Sequence, residues 1–508
     1  MNKYLNKSVF SALLAATSLH AAEDSQLQHQ MMLLGGGVSI CTTRSLDSCV
    51  ADAHLSAASS ADGSEQVLLQ QTKDPFSRQL MPEFVRRAAA ISERAKPKVL
   101  VVTASSMNPF AAVDFYQQLF EQAGAEVVWL PIHTAFQHAQ RLGAEQGCSQ
   151  LDALFANYHG LEAPSERYPD LMRYQQDICK GGHDRTVAMI EAADAIFFNG
   201  GDQSRTLQAL RTGDGQATPE LQAIQRGLAA GRLLVGGTSA GTAVMSGRET
   251  AKLPMITNGE SRHALAYGAH ATEPPERDCD EAGTCPEGLQ ELSLTYNPEG
   301  GAALFPWGIL DTHFSERGRE GRLIKLALST ETRFGFGVDE ATALLVSTPA
   351  NSSNEVWFEV QGKGGVFIAD LADAKQLEQD STLAIDAVTT HYLTHGDRAV
   401  LREGDFSIQF ADWKQPNLTQ SSVMPSADAV MQSNHYQQLA DTLCATGATE
   451  ALGSDQLADF SFRVRLRRVG QTQSQVGEVE KDNGRFAFCS YQHVQLDLER
   501  RTAALTNE

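Results

Sequence analysis

Ser239 stands in Gly237-Thr238-Ser239-Ala240-Gly241, a GxSxG run that follows the apolar residues Leu233, Leu234 and Val235 and precedes an apolar helical stretch. A serine hydroxyl carried on a sharp strand-to-helix turn is the arrangement of a nucleophile elbow, whose chemistry is acyl transfer. Glycine suits positions 237 and 241 because the turn is tight and the helix packs close, leaving no space for a Cβ. The same residues would also make a plain turn with an N-capping serine, so the chemistry needs a base and an oxyanion site as well. Ile196-Phe197-Phe198-Asn199-Gly200-Gly201-Asp202-Gln203 places a diglycine directly after a buried strand, where bare backbone can approach a ligand. The amides of Gly201 and Ala240 are the candidate oxyanion donors.

The candidate base is His313 in Asp311-Thr312-His313, at the end of a predicted strand, with Arg317, Arg319 and Arg322 after it. On a helix Arg319 and Arg322 share a face and Arg317 lies apart. A lone histidine is commonly structural and such a charge run is commonly a solvated helix face; the serine elbow, expected in the same sheet, turns the reading toward catalysis. Phe334-Gly335-Phe336-Gly337-Val338-Asp339-Glu340 is a glycine-interrupted strand ending in two carboxylates. Glu340 suits the third role of a triad, orienting the imidazole and stabilising its cation, and a surface acidic pair is the plain alternative.

The elements that must position these groups follow from the apolar pattern. Met31 to Gly37 reads as a first strand halted by glycines, and Val99 to Val102, Glu126 to Leu130, Ala195 to Phe198 and Leu233 to Gly236 read as further strands. Helical spacing covers Leu80 to Ala95, Ala112 to Gln122, Thr186 to Ala193 and Glu220 to Ala230. Runs buried on both faces and alternating with helices predict an α/β fold, a doubly wound, mostly parallel sheet flanked by helices, with its site at the carboxyl ends of the strands. Residues 56–71 read as a polar surface insertion, and 147–182 and 256–299, each with a cysteine pair, as stapled surface excursions. The strand pattern resumes over 309–314, 334–346 and 356–368. After about residue 411 a polar stretch, a helix near 428–444 and a β-rich end at 460–496 suggest a small appended segment. The expected division is a signal peptide at 1–22, a catalytic domain at 23–410 and a C-terminal segment at 411–508.

Composition narrows the partners. The 508 residues are 42% hydrophobic and 20% charged, enough to bury a sizeable core. With 62 acidic against 41 basic residues, a formal charge of -21 argues against nucleic acid or an anionic membrane as partner. Lys3 and Lys7 precede an apolar run from Val9 to Leu19 and then Ala21 and Ala22, the pattern of a secretory signal, and no later stretch is long and apolar enough to span a membrane. Eight cysteines without CxxC spacing fit structural disulfides in a secreted or periplasmic protein, and no metal or cofactor is implied. Short closed loops favour nearest-neighbour pairing, though eight cysteines leave the connectivity open. The oligomeric state, a homodimer included, is open too.

Taken together, GGDQ at 200–203, GTSAG at 237–241, the Asp311-Thr312-His313 segment with its three spaced arginines, and Asp339-Glu340-Ala341-Thr342-Ala343 resemble cyanophycinase, within the serine peptidases that include peptidase E and share a class I glutamine amidotransferase-like fold. The resemblance covers about residues 32 to 405, outside both cysteine-bearing insertions. It implies Ser239 as nucleophile, His313 as general base and Glu340 as orienting acid, with Gln203, Asp311, Thr312, Arg317, Arg319 and Arg322 lining the substrate pocket. It also implies the substrate: cyanophycin, a poly-aspartate chain with arginine on each side-chain carboxyl, released as β-aspartyl-arginine dipeptides. Thr312 stands where the family has glutamine, which leaves open an aspartyl dipeptidase acting on short β-aspartyl peptides. A polymer-binding protein without turnover is a rival of another class.

Overall fold

The structure is a computed structural model that describes residues 27–51, 65–247, 253–352, 354–379, 381–416, 423–482 and 484–502. The expected signal peptide and residues 56–64 of the polar stretch lie outside the described residues; Val67 and Leu69, at the end of that stretch, are buried.

Five short runs make one side of the first sheet, out to its edge: β1 (Leu27–Leu34), β2 (Lys98–Val102), β3 (Glu126–Trp129), β4 (Ala195–Phe198) and β5 (Leu234–Thr238). They lie in the order β1-β5-β4-β2-β3, all parallel. Successive side chains of a strand point to opposite faces. Accordingly Met32, Leu34 and Phe197 enter one core with Phe84 and Phe120, whereas Met31, Leu33 and Phe198 enter another with Phe136 and Phe155. The helix Pro75–Ser92 on the first face starts earlier than apolar spacing alone suggests, because Asp74 caps the amides of Phe76 and Ser77 and proline fits the first turn.

Residues 147–182, expected as a surface excursion, lie in a helical layer that runs from Ala144 to Glu191 instead. Leu151, Phe155 and Met172 are buried there, as are both members of the Cys148–Cys179 disulfide. Their apolar residues recur at helical spacing and need a face to cover, which a polar excursion would not supply. The second insertion folds as a small sheet of β6 (Met255–Asn258), β7 (Ala269–His270) and β8 (Leu294–Asn297), with a loop closed by Cys279–Cys285.

Beyond it the chain shuttles between two sheets. β9 (Ile309–Thr312) and β10 (Phe334–Val338) run parallel in a second sheet. At residues 339–341 the chain crosses to the first, where β11 (Thr342–Pro349) lies antiparallel to β1 and β12 (Glu355–Gly362) follows it. β13 (Gly365–Asp370), β14 (Lys375–Gln379) and β15 (Thr382–Thr394) return to the second sheet, and β16 (Arg398–Arg402) and β17 (Asp405–Gln409) edge the first. Thus 334–346 and 356–368, expected as single runs, are each two strands in different sheets. The first break falls at Ala341 (φ 50°), and the second follows Gly362 (φ 147°), which ends β12 in a backbone conformation that side-chain-bearing residues rarely adopt. Residues 411–502 supply β18 (Gln415–Pro416), β19 (Ser426–Ala427), β20 (Glu450–Leu457), β21 (Phe460–Lys481) and β22 (Gly484–Thr502). β22 pairs with β15, so these strands share the ten-stranded sheet of β9.

The protein is therefore mixed α/β with two large sheets. Four disulfides close it, Cys41–Cys49, Cys148–Cys179, Cys279–Cys285 and Cys444–Cys489, each joining nearest neighbours in sequence. Among the described residues no helix is long and apolar enough to cross a membrane.

Candidate active site

Ser239 joins β5 to the short helix Ala240–Ala243 at φ 53°, ψ −118°, a strained conformation for a residue with a Cβ. Its amide donates to Leu34 O at 3.0 Å. A Cβ on Gly237 would lie 2.3 Å from Gly241 O, and one on Gly241 2.2 Å from Phe198 O, so both flanking glycines are sterically required. Across the turn, Ser239 Oγ lies 2.7 Å from His313 Nε2, and His313 Nδ1 lies 2.5 Å from Glu340 Oε1.

His313 does not belong to the elbow's sheet, as the sequence suggested. It follows β9 in the second sheet, because β9 pairs with β10 and not with the parallel strands around β5. Glu340 sits in the crossover that carries the chain from β10 to β11. What brings the three side chains together is the loop Gly35–Gly37 after β1: Gly35 O accepts from the His313 amide at 2.8 Å, and Gly36 O from the Ala341 amide at 2.9 Å. A Cβ on Gly36 would stand 2.5 Å from His313 Nε2, and one on Gly37 2.2 Å from Glu340 Oε2. MMLLGGG, expected to be a strand stop, also carries the signal of three successive glycines, bare backbone against which other groups pack.

Two further carboxyls brace this crossover: Asp339, read from the sequence only as Glu340's acidic neighbour, and Glu316, to which the sequence assigns no role. Asp339 is buried and accepts from the amides of Ser315 and Gly365, each at 3.0 Å, and from the Tyr392 hydroxyl at 2.5 Å. Burial raises its pKa against those hydrogen bonds. Glu316 Oε2 accepts from the Glu340 amide at 3.1 Å. Burial and the neighbouring Asp339 charge push Glu316 up to about 7. Burial also lowers the pKa of His313; its hydrogen bond to Glu340 works against that, and the charges of Arg317 and Arg319 add to it. The ring is thereby biased toward the neutral form that can accept a proton.

Ser239 opens on a cleft of about 740 Å³ that Gly201, Gln203, Ala240, Asp311, Thr312, Arg317, Arg319 and Arg322 also line. Every site residue named from the sequence except Glu340 is on this wall, with Glu340 behind His313. The diglycine runs against the serine, since a Cβ on Gly200 would lie 3.3 Å from Ser239 Cβ. Gln203 Nε2 donates to Ile256 O at 2.8 Å and so holds β6 to the cleft.

The arginines divide. Arg322 is almost wholly buried and commits its guanidinium to Asp311, at 2.8 and 2.5 Å, and to Gly259 O at 2.5 Å. Arg319 donates to Thr312 O at 2.6 Å, and burial together with Arg322 and Arg317 lowers it to about 9. Arg317 is exposed and makes no side-chain hydrogen bond or ion pair among the described residues. Burial alone would raise Asp311, but Arg322 and Arg319 outweigh it and hold the carboxylate low. Arg319 and Arg322 share Asp311, and Arg317 adds an uncommitted guanidinium, so this part of the lining suits an anionic group.

Met431, Gln432 and Ser433 also line the cleft, beside the turn at Gly318, where a Cβ would lie 2.4 Å from Met431 O; no sequence motif connects them to the site. Asn434 N donates to Ser315 O at 2.6 Å, and the buried Asp455 accepts from Met431 N at 2.9 Å. Asp455 also lies 4.0 Å from Arg262 Nη1, so it links the C-terminal strands to the second insertion. Among the described residues, one group of potential metal-ligating atoms lies within 4.8 Å of one another, Cys279, Asp280 and Cys285, and its sulfurs are joined in a disulfide.

Three curated relatives bear on this geometry. The chain is 28% identical over 242 residues to a cyanophycinase of Trichormus variabilis, covering 47% of this chain and 66% of the relative. It is 29% identical over 216 residues to a cyanophycinase of Nostoc sp., covering 42% and 58%. Over 214 residues it is 28% identical to a cyanophycinase of Geminocystis herdmanii, covering 41% and 63%. The chain thus spans roughly three fifths of the length of these relatives, which support a relationship to cyanophycinases. No family model matches it.

Proposed function

We propose that this chain is an exported serine-type exopeptidase that hydrolyses cyanophycin to β-aspartyl-arginine dipeptides through an ester on Ser239. The observation that carries the reading is the continuous hydrogen-bonded relay from Ser239 Oγ through His313 to Glu340, at the edge of a guanidinium-rich cleft. Similarity to cyanophycinases supports the substrate, and four disulfides support an oxidising compartment.

In this mechanism Ser239 Oγ attacks the carbonyl carbon of the scissile amide while His313 Nε2 takes its proton. Glu340 holds the Nδ1 proton and stabilises the imidazolium. The amides of Gly201 and Ala240 receive the developing oxyanion, where one lost donor typically costs about two to three orders of magnitude in rate. His313 then protonates the leaving amine, and water, deprotonated by the same ring, releases the acid and restores the hydroxyl. Arg317 meets a free carboxylate of the substrate; Arg319 and Arg322, with Asp311, hold that wall in shape.

A second reading, an aspartyl dipeptidase, is favoured by Thr312 in place of the long amide of the related enzymes. Insoluble cyanophycin, β-aspartyl-arginine and α-aspartyl dipeptides are assayed with the wild type and with Ser239→Ala. Release of β-aspartyl-arginine from the polymer, lost in Ser239→Ala by at least about four orders of magnitude, is expected. Turnover of dipeptides alone would select the dipeptidase, and polymer binding without wild-type turnover would select the binding protein.

A further inference from the structure

The cleft also holds a candidate partner for the substrate's positive end, carried by the second insertion. Four carboxylates line it among the described residues: Asp202, Glu260, Glu291 and Asp311. Three are already engaged. Asp311 is forked by Arg322, Glu260 lies 3.5 Å from Arg262 Nη2, and Asp202 caps the Ser204 amide at 2.8 Å with Arg205 Nε at 3.8 Å. The half-buried side chain of Glu291 has no hydrogen bond or ion pair among the described residues.

Its backbone, in contrast, is fixed from several sides. Glu291 N donates to Asp280 Oδ2 at 3.1 Å, and Asp280 belongs to the loop stapled by Cys279–Cys285. Asn258 Nδ2 donates to Glu291 O at 2.6 Å, and the Glu260 amide donates to Leu292 O at 3.1 Å. An ordered backbone presenting an unpaired carboxylate into a cleft is a preorganised acceptor, because the cost of ordering is met before the ligand arrives. A guanidinium offers two parallel N–H donors that match a carboxylate's two oxygens.

We infer that Glu291 takes the guanidinium of the substrate's arginine while Arg317 takes a free carboxylate, so the stapled insertion sets the preference for arginine-bearing units. This inference rests on the proposed substrate class. It gives the Cys279–Cys285 loop a task, namely holding Glu291 in place through Asp280.

The test uses the full-length protein and two synthetic β-aspartyl oligomers, one bearing arginine and one bearing citrulline, its neutral isostere. The readout is the ratio of kcat/KM for the arginine oligomer over the citrulline oligomer. A charge-assisted hydrogen bond predicts a ratio on the order of 10 to 100 in the wild type. The ratio is expected to fall toward one in Glu291→Gln and to stay intermediate in Glu291→Asp, with circular dichroism reporting that each variant folds. A ratio unchanged in Glu291→Gln, or near one in the wild type, would overturn the inference. Calorimetric binding of β-aspartyl-arginine and β-aspartyl-citrulline to Ser239→Ala, with and without Glu291→Gln, separates the two readings. A Glu291-dependent preference there without wild-type turnover would sink the hydrolase and keep the guanidinium site; no preference there would remove the site.

Discussion

The His313 ring rests on bare backbone at Gly36, where a Cβ would come within 2.5 Å of Nε2 and 2.4 Å of Cε1. Gly36 has φ 102°, which side-chain-bearing residues rarely adopt, so two independent costs fall on any substitution. Gly36→Ala is expected to displace the imidazole from Ser239 and lower kcat by about two to four orders of magnitude. The variant should keep a cooperative unfolding transition, because the loop lies at the end of β1 rather than within its ladder. Stopped-time hydrolysis assays beside thermal unfolding check this, and an active Gly36→Ala enzyme would refute the packing argument.

The charge of Arg317 opposes protonation of His313. Removing it in Arg317→Gln raises the imidazole pKa, so the acidic limb of the pH profile of kcat/KM should move to higher pH. The wild-type limb should lie below the ordinary imidazole value, since burial acts in the same direction. NMR titration of His313 in both proteins measures the shift without substrate and so separates it from any change in binding.

Glu316 titrates at about 7 in the folded protein, raised by burial and by Asp339. A carboxyl raised above its unfolded value contributes stability that is complete below about pH 4.5 and lost as pH rises through about 7. In the interval between, one such group makes unfolding free energy fall by about 1.4 kcal/mol per pH unit. Glu316→Gln keeps an acceptor for the Glu340 amide and removes the titration. Its urea-unfolding free energy should decline less steeply than the wild type's across that interval, and parallel slopes would count against the assignment.

Asp455 ties Met431 to the second insertion through Arg262. Asp455→Asn is expected to loosen the lining at 431–433, raising KM by about 3- to 10-fold with kcat little changed, because Asp455 bonds Met431 and none of Ser239, His313 and Glu340. Steady-state kinetics on a soluble oligomer distinguishes this from an equal fall in kcat, which would place Asp455 nearer the chemistry.

Much of the site was legible because its signals are local. GTSAG after an apolar run marks a turn that only glycine can flank, and GGDQ marks close backbone approach; both lie where the spacing placed them. The helical layer over 147–182 was less legible, since its helices are short and Leu151 and Phe155 give only one helical turn of buried apolar spacing. The Met431–Ser433 wall carried no local signal at all. It is held at the cleft by hydrogen bonds from Met431 to Asp455 and from the adjoining Asn434 to Ser315, which no short window contains.

By itself the sequence determined the backbone chemistry of each motif and the burial of the apolar strands around β5, because steric limits on φ and ψ and apolar periodicity act within a few residues. Only the tertiary structure decided which strands share a sheet. β10 and β11 are separated by only three residues, yet one pairs with β9 and the other with β1. Strand pairing is a contest among distant segments of similar pattern, and its outcome here puts Ser239 on one sheet, His313 on the other and Glu340 in the crossover between them.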